Sequence, residues 1–196
     1  MEDKLRLMTK FSWVRTTIAF ISLYTLAPLS TADELGDARP GDLIFREGTE
    51  FVSNAVLAID NGSFSHVGML AKQDDQWVVI HSSPAEIPGR IDGVVIDPLS
   101  FFIAPEQSRY FSVYQVDATD AERQSAVDWA IAKEGTPFRV FGVDAIYCTT
   151  LVWKAWQMAG INLEPTFSRL AIPLAEGEYL LPSGLLSSPK LTRLPQ

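Results

Sequence analysis

At 196 residues the chain has room for one domain and little more. Apolar residues make up 47% of it, enough for a substantial core, and charged residues only 20%. A formal charge of −8 argues against the basic face on which nucleic-acid binding depends, so no nucleic-acid partner is expected and the acidity reads as a source of solubility.

The first 32 residues read as a targeting segment. Lys4, Arg6, Lys10 and Arg15 precede the short apolar stretch "TTIAFISLYTLAPL", and "STA" at 30–32 satisfies the small-x-small rule for cleavage. The expectation is a signal peptide over 1–32, a mature domain over 33–196, and a periplasmic or extracellular location. The apolar run is short for a membrane span and Pro28 interrupts it, so no stable span is expected after cleavage. Retention as an uncleaved anchor is the alternative.

The remaining elements follow in order. "ARPGDLIFREG" (38–48) starts with a Pro-Gly turn and continues as a short strand. "SNAVLAIDNG" (53–62) reads as a short helix with Ser53 as N-cap and Gly62 as stop. "SHVGMLAK" (65–72) and "QWVVIHSS" (76–83) form a predicted hairpin around the polar "KQDD". "GVVIDPLSFF" (93–102) and "RYFSVYQV" (109–116) are further strand candidates, rich in β-branched and aromatic residues. The period then becomes helical. "TDAERQSAVDWAIAKEG" (119–135) opens with Thr119 and Glu122 at capping-box spacing. A second helix, 148–159, carries an apolar stripe of Leu151, Val152, Ala155 and Ala159 and is closed by Gly160. The tail, 163–196, is rich in proline and is expected to be ordered only where it packs on the body. Strands in the middle flanked by helices give an α+β fold, an antiparallel sheet packed against helices.

Within this frame Cys148 stands out. It is the only cysteine, at the start of a predicted helix, in a chain read as exported. A lone thiol outside the cytoplasm cannot form an internal disulfide and risks oxidation; the plain alternative is a small buried hydrophobe. The chain's two histidines, His66 and His81, both fall in the predicted hairpin. A turn centred between Gln73 and Asp74 places them directly opposite one another on one face. The three groups suit nucleophilic catalysis. A helix N-terminus lowers a thiol's pKa. One imidazole, His66, takes the thiol proton and returns it to the leaving group; the second, His81, orients the first. The N–H of Cys148 is a candidate oxyanion donor. Tyr147 is a further candidate for contact with substrate or oxyanion, with packing as its plainer role. Asp42 reads as a turn residue bonding the local backbone. Two histidines and a cysteine also suit an open zinc site, but no ligand-spacing motif accompanies them and no metal is expected. No Gly-rich phosphate loop occurs, and no organic cofactor is expected.

The segments "GDLIF" (41–45), "SHVGML" (65–70) and "YCTTLVWKAW" (147–156) resemble those of the permuted papain-like amidases of the YiiX/YebB type, within the NlpC-like cysteine hydrolase superfamily. The likeness runs over most of the mature chain, including "DPLSFF" and the tail "LLPSGLLSSPKLTRL". It implies a circularly permuted papain-like fold, in which the histidine strand precedes the cysteine helix, and a thiol hydrolase acting on amide or related acyl bonds. It implies Cys148 as nucleophile and His66 as base. For the third member, many relatives have glutamate where this chain has His81; other branches, including the lecithin:retinol acyltransferase-like proteins, have histidine. Thr150 falls where relatives often have an acidic residue.

The expectation is therefore an exported cysteine hydrolase that cleaves an amide or peptide bond through a thioester, with a cell-wall peptide (peptidoglycan fragment) as one substrate class. A lipid acyl hydrolase or acyltransferase using the same site is the alternative, for which "YLLPSGLL" (179–186) would line an apolar groove. A binding module that has kept the fold without catalysis is the other.

Overall fold

The structure is a computed structural model that describes residues 35–85, 89–142, 144–172 and 175–195. The predicted signal segment, 1–32, lies outside them. Six strands form one antiparallel sheet in the order β4-β3-β2-β1-β5-β8. They are β1 (Leu43–Gly48), β2 (His66–Gln73), β3 (Gln76–Ser83), β4 (Gly93–Pro98), β5 (Ser108–Val116) and β8 (Leu191–Arg193). A separate two-stranded ribbon joins β6 (Ser168–Ile172) to β7 (Ala175–Tyr179). Among the described residues five helices complete the body: α1 (Phe51–Asp60), α2 (Leu99–Phe102), α3 (Asp120–Ile131), α4 (Cys148–Met158) and α5 (Pro182–Leu186). The α+β arrangement expected from the order of elements is the one found.

Both faces of the sheet are covered, because strand side chains alternate between them. Leu43, Phe45, Val67, Met69 and Ile80 share one core with Leu151, Val152, Ala155 and Trp156 of α4 and Ala126 and Ala130 of α3. Ile44, Leu70, Val79 and Val113 share a second core with Leu99 and Phe102 of α2 and with Leu35 and Leu194. At the start of β1, Gly41 has φ +91, and a Cβ there would lie 3.0 Å from the Trp156 ring; the turn needs glycine both for its backbone and for the indole.

Two expectations shift. The strand over 93–102 stops at Pro98, whose φ of −53 and missing N–H suit a helix start rather than a ladder. Residues 99–102 become α2 and plug the second core. The hairpin turn is centred one residue later than expected. Asp74 and Asp75 take φ of +48 and +61, the two positive values of a two-residue hairpin turn, and Gln73 pairs with Gln76. Met69 therefore faces Ile80, and the same register sets Gly68, not His66, opposite His81. The shift is two residues along the strand, so both histidines keep the same face.

The capping box of α3 is present: Glu122 N–H donates to Thr119 Oγ1 at 3.4 Å and Thr119 N–H to Glu122 Oε2 at 2.7 Å. The helix closes at Ile131, and turns carry the chain to Gly135. Asp42 does bond the local backbone, accepting from Arg39 N–H, and it does more. Its other oxygen accepts from the Val116 N–H and from the Arg123 guanidinium at 2.6 Å, tying α3 to β1 and β5 inside the core. The tail packs along the body as β6, β7, α5 and finally β8 on the sheet edge.

Candidate active site

Cys148 opens α4. Tyr147 is the N-cap, extended at φ −131, and its N–H donates to Thr150 Oγ1 at 2.9 Å. Thr150 thus serves as an uncharged cap partner at a helix N-terminus. The residues on either side of the thiol grip the same stretch of tail. Tyr147 Oη accepts from Leu180 N–H at 3.0 Å, and Thr149 Oγ1 donates to Leu180 O at 2.5 Å.

The two histidines do not act alone. His66 Nε2 and His81 Nδ1 are 2.8 Å apart. His81 Nε2 is 2.9 Å from Asp97 Oδ2. Arg90 donates to both Asp97 oxygens, each at 2.6 Å. The imidazoles meet edge to face, ring centres 5.0 Å apart, and both lie against Phe102. Burial pushes the Asp97 carboxyl upward, but hydrogen bonds from His81 and Arg90 outweigh this and hold it below the ordinary carboxylate value. An ionised Asp97 only accepts, so His81 Nε2–H donates to it. Whenever the His81 ring is neutral, its Nδ1 is the acceptor and takes the Nε2–H of His66. In that state the bare nitrogen of His66 is Nδ1. Burial, then the charge of Arg46 and that of His81 in its protonated form, hold the His66 pKa well below its usual value. The ring stays neutral, the state a base requires.

Gly68 makes this diagonal contact possible. A Cβ there would meet Val79 Cγ1 at 2.3 Å and His81 Cβ at 3.2 Å. Arg46, beside His66 in the register, is fully buried. It donates to Phe102 O at 2.9 Å, stacks 4.4 Å over that ring and reaches Glu50 Oε1 at 3.3 Å.

The Cys148 sulfur lies against the backbone N–H groups of Val67, Thr149 and Cys148 itself, with the Arg46 cation nearby. All four favour a thiolate, as the helix-terminus argument requires. Burial opposes them and wins, and the thiol is pushed up to about 11. The expected lowering is therefore corrected: the protein around the sulfur withholds water more effectively than the helix end replaces it. Cys148 nonetheless keeps partial exposure, and it shares with Ser65, His66, Tyr147 and Thr149 the wall of a cavity of about 660 Å³. Cys148 and His66 share the wall of this cavity without a hydrogen bond between them. His81 sits behind His66, 1% exposed. Burial is also the main reason that Tyr147 is raised to about 12, so it stays a phenol.

The structure thus brings Cys148, His66 and Tyr147 to one cavity, with His81 directly behind. It adds Asp97, Arg90 and Arg46, which sequence reasoning passed over. A signal existed for two of them. In "LIFREG" and "VVIDP" a charge occupies a strand position whose neighbour two residues earlier, Ile44 or Val95, is apolar and buried. Arg90 lies in a connecting segment and carried no such mark. Among the described residues no group of three or more His, Cys, Asp or Glu side chains is placed to hold a metal ion, and no helix is long and apolar enough to cross a membrane.

Comparison with known proteins agrees with this architecture. Residues 37–194 match the model of a family described as permuted papain-like amidase enzymes, YaeF/YiiX, C92 family. No curated protein matches the chain. Among solved structures the chain is similar to the metalloprotein yiiX from Escherichia coli O157:H7. The TM-score is 0.66 at 22% identity, over 81% of this chain and 97% of that one.

Proposed function

The chain belongs to the permuted papain-like amidase family of the YaeF/YiiX type, and from that premise we propose that it is an exported thiol hydrolase in which Cys148 attacks the carbonyl carbon of an amide. The observation that supports this reading is the unbroken polar line Arg90–Asp97–His81–His66, which leads to the cavity wall that holds Cys148.

At neutral pH the thiol and the His66 ring are both uncharged, given the directions of their shifts. The pair therefore works by general-base catalysis rather than from a preformed thiolate–imidazolium pair. As the substrate carbonyl settles beside the sulfur, the thiol proton passes to His66 Nδ1, directly or through one water. The S–C bond forms as the carbonyl π electrons move to oxygen. In this reading the oxyanion is received by the helix-terminal N–H of Cys148, which has no intrahelical acceptor. His66 then gives its proton to the departing amine, the C–N bond breaks and a thioester remains. Water, deprotonated by His66, cleaves the thioester, releasing the acid and restoring the thiol. His81 and Asp97 keep the His66 ring in the tautomer with Nδ1 bare.

The test is a panel of N-acyl amides with wild type, Cys148→Ala and His66→Ala. Cys148→Ala is expected to abolish turnover, and His66→Ala to cut kcat by about 10²–10⁴-fold. Mass spectrometry of wild type quenched during turnover is expected to show the acyl group on the Cys148 peptide. Turnover by Cys148→Ala at the wild-type rate overturns the proposal. Export belongs to the same reading, and N-terminal sequencing of the secreted protein is expected to begin at Asp33.

A further inference from the structure

The reaction gives Arg46 no task, yet its guanidinium is fully buried. A cation out of water is costly, and proteins keep one where it is paired or put to use. Arg46 stands in β1 directly opposite His66 of β2, so the two side chains share a face of the sheet. Phe102 fixes the cation from α2: its carbonyl accepts at 2.9 Å, and its ring centre lies 4.4 Å from the guanidinium carbon. The same ring packs on both imidazoles, 5.7 Å from His66 and 5.1 Å from His81 between centres. Cation, ring and base thus form one packed group.

The compensating charge is placed less favourably. Glu50, the N-cap of α1, approaches Arg46 at 3.3 Å, but its carboxylate is partly exposed at the cavity wall and also accepts from Ser53 Oγ at 2.7 Å. Water screens Glu50 and does not reach Arg46. The other ionisable groups around His66 are His81 of β3, with Asp97 of β4 and Arg90 behind it, and Tyr147 and Cys148 at the start of α4; α2 carries no ionisable side chain.

A cation in this place acts on one proton. It makes neutral His66 a weaker base and its imidazolium a stronger acid. After burial, the Arg46 charge is the next cause of the low His66 pKa. It is also one of the influences that pull Cys148 down against its burial. The two halves of the reaction respond differently. For deprotonation of the thiol, the weaker base is offset by attraction between the cation and the nascent thiolate. For expulsion of the leaving group there is only gain. In that step the His66 Nδ1–H proton goes to the amide nitrogen, the C–N pair leaves with that nitrogen, and the oxyanion electrons restore the carbonyl of the thioester. An amine cannot leave without this proton, whereas the oxygen of an ester leaves with far less help.

We propose that Arg46 makes this site an amidase rather than an esterase: its buried guanidinium, opposite His66 and stacked on the ring that packs the base, drives the His66 proton onto the departing amine. The guanidinium touches no reacting atom and acts through His66, so Arg46 is a positioning residue. The amide preference rests on the thiol-hydrolase reading; the hold of Arg46 on the His66 proton does not require turnover.

The experiment titrates the imidazole Cε1–H signals by NMR in full-length wild type, Arg46→Met, Arg46→Lys and Glu50→Gln. The chain has two histidines, and loss of a signal in His66→Gln identifies the one that matters. Arg46→Met is expected to move the His66 midpoint up toward the ordinary imidazole value, and Arg46→Lys to recover part of the shift. Glu50→Gln, a conservative change at a partly exposed position, removes the compensating charge and is expected to move the midpoint further down. In parallel, each amide that wild type cleaves is compared with the ester of the same acyl group. The amide-to-ester ratio of kcat is expected to fall about tenfold or more in Arg46→Met and to rise in Glu50→Gln. A midpoint unmoved by both variants, or a ratio that stays constant while the midpoint moves, overturns the proposal. If Arg46→Met does not fold, the direction of the Glu50→Gln shift decides it. The two readings fail separately. Midpoints that move, with no hydrolysis by wild type, remove the enzyme and leave the coupling of Arg46 to His66. Hydrolysis with unmoved midpoints does the reverse.

Discussion

A helix N-terminus and a buried cation both draw a thiol toward its anion, yet at Cys148 the loss of water outweighs them and the pKa is about 11. The consequence is measurable. Alkylation of Cys148 by iodoacetamide is expected to be slow at neutral pH and to rise about tenfold per pH unit toward pH 11, since only the thiolate reacts. A plateau below pH 8 would show a preformed ion pair instead. His66 is shifted the other way, so the acid limb of kcat/KM is expected below pH 6.5, where an ordinary imidazole would already be protonated. Asp97 acts through His81 and is a positioning residue. Asp97→Asn offers an amide N–H to His81 Nε2, favours the wrong tautomer down the line, and is expected to lower kcat about 10²–10⁴-fold with KM little changed. Asp97→Glu should recover part of that loss, and an equal loss in both variants would reduce Asp97 to a packing role.

The site is assembled from a ribbon and a helix end, and each element carries a constraint the other depends on. In β2 and β3 the turn at Asp74–Asp75 sets the register, the register puts Gly68 opposite His81, and the absent side chain lets the two rings meet along a diagonal. Gly68→Ala is expected to cost about 1–3 kcal/mol, from the 2.3 Å approach to Val79 Cγ1. It should also slow turnover more than its loss of stability explains. Urea denaturation alongside kcat separates the two effects, and an unchanged kcat would show that the ring contact does not need the gap. At the helix end, Tyr147 and Thr149 hold Leu180, so one turn of α4 positions both the thiol and a wall of its cavity. The hairpin and the helix were legible because each is a local pattern: alternation with a polar turn, and an apolar stripe closed by glycine. The turn was misplaced by one residue because "KQDD" offers several polar positions, and only the paired strands decide which two take positive φ.

For the molecule as a whole, the buried ionisable groups predict how stability responds to acid. His66 is held neutral, so below pH 6.5 the unfolded chain takes up a proton that the folded one refuses. Stability therefore falls as pH drops from 6.5, by at most about 1.4 kcal/mol per pH unit from this group. Asp97 has a lowered pKa, and its contribution is present above pH 3.8 and lost as pH falls through its folded value. Chemical denaturation of wild type and His66→Gln at pH 7 and pH 5 checks the first window. The variant is expected to lose the slope between those values, and an unchanged slope would assign it to another group. By itself the sequence determined β1 to β5, α1, α3 and α4, their α+β order and the three groups able to do thiol chemistry, because periodicity, capping and residue type are local properties; α2 and the tail elements did not show in it. Only the tertiary structure decided that Arg46, Asp97 and Arg90 join those groups and that the thiol is protonated. Each of these depends on how far water is excluded and on which strands lie side by side, and such quantities arise only once distant segments are in contact.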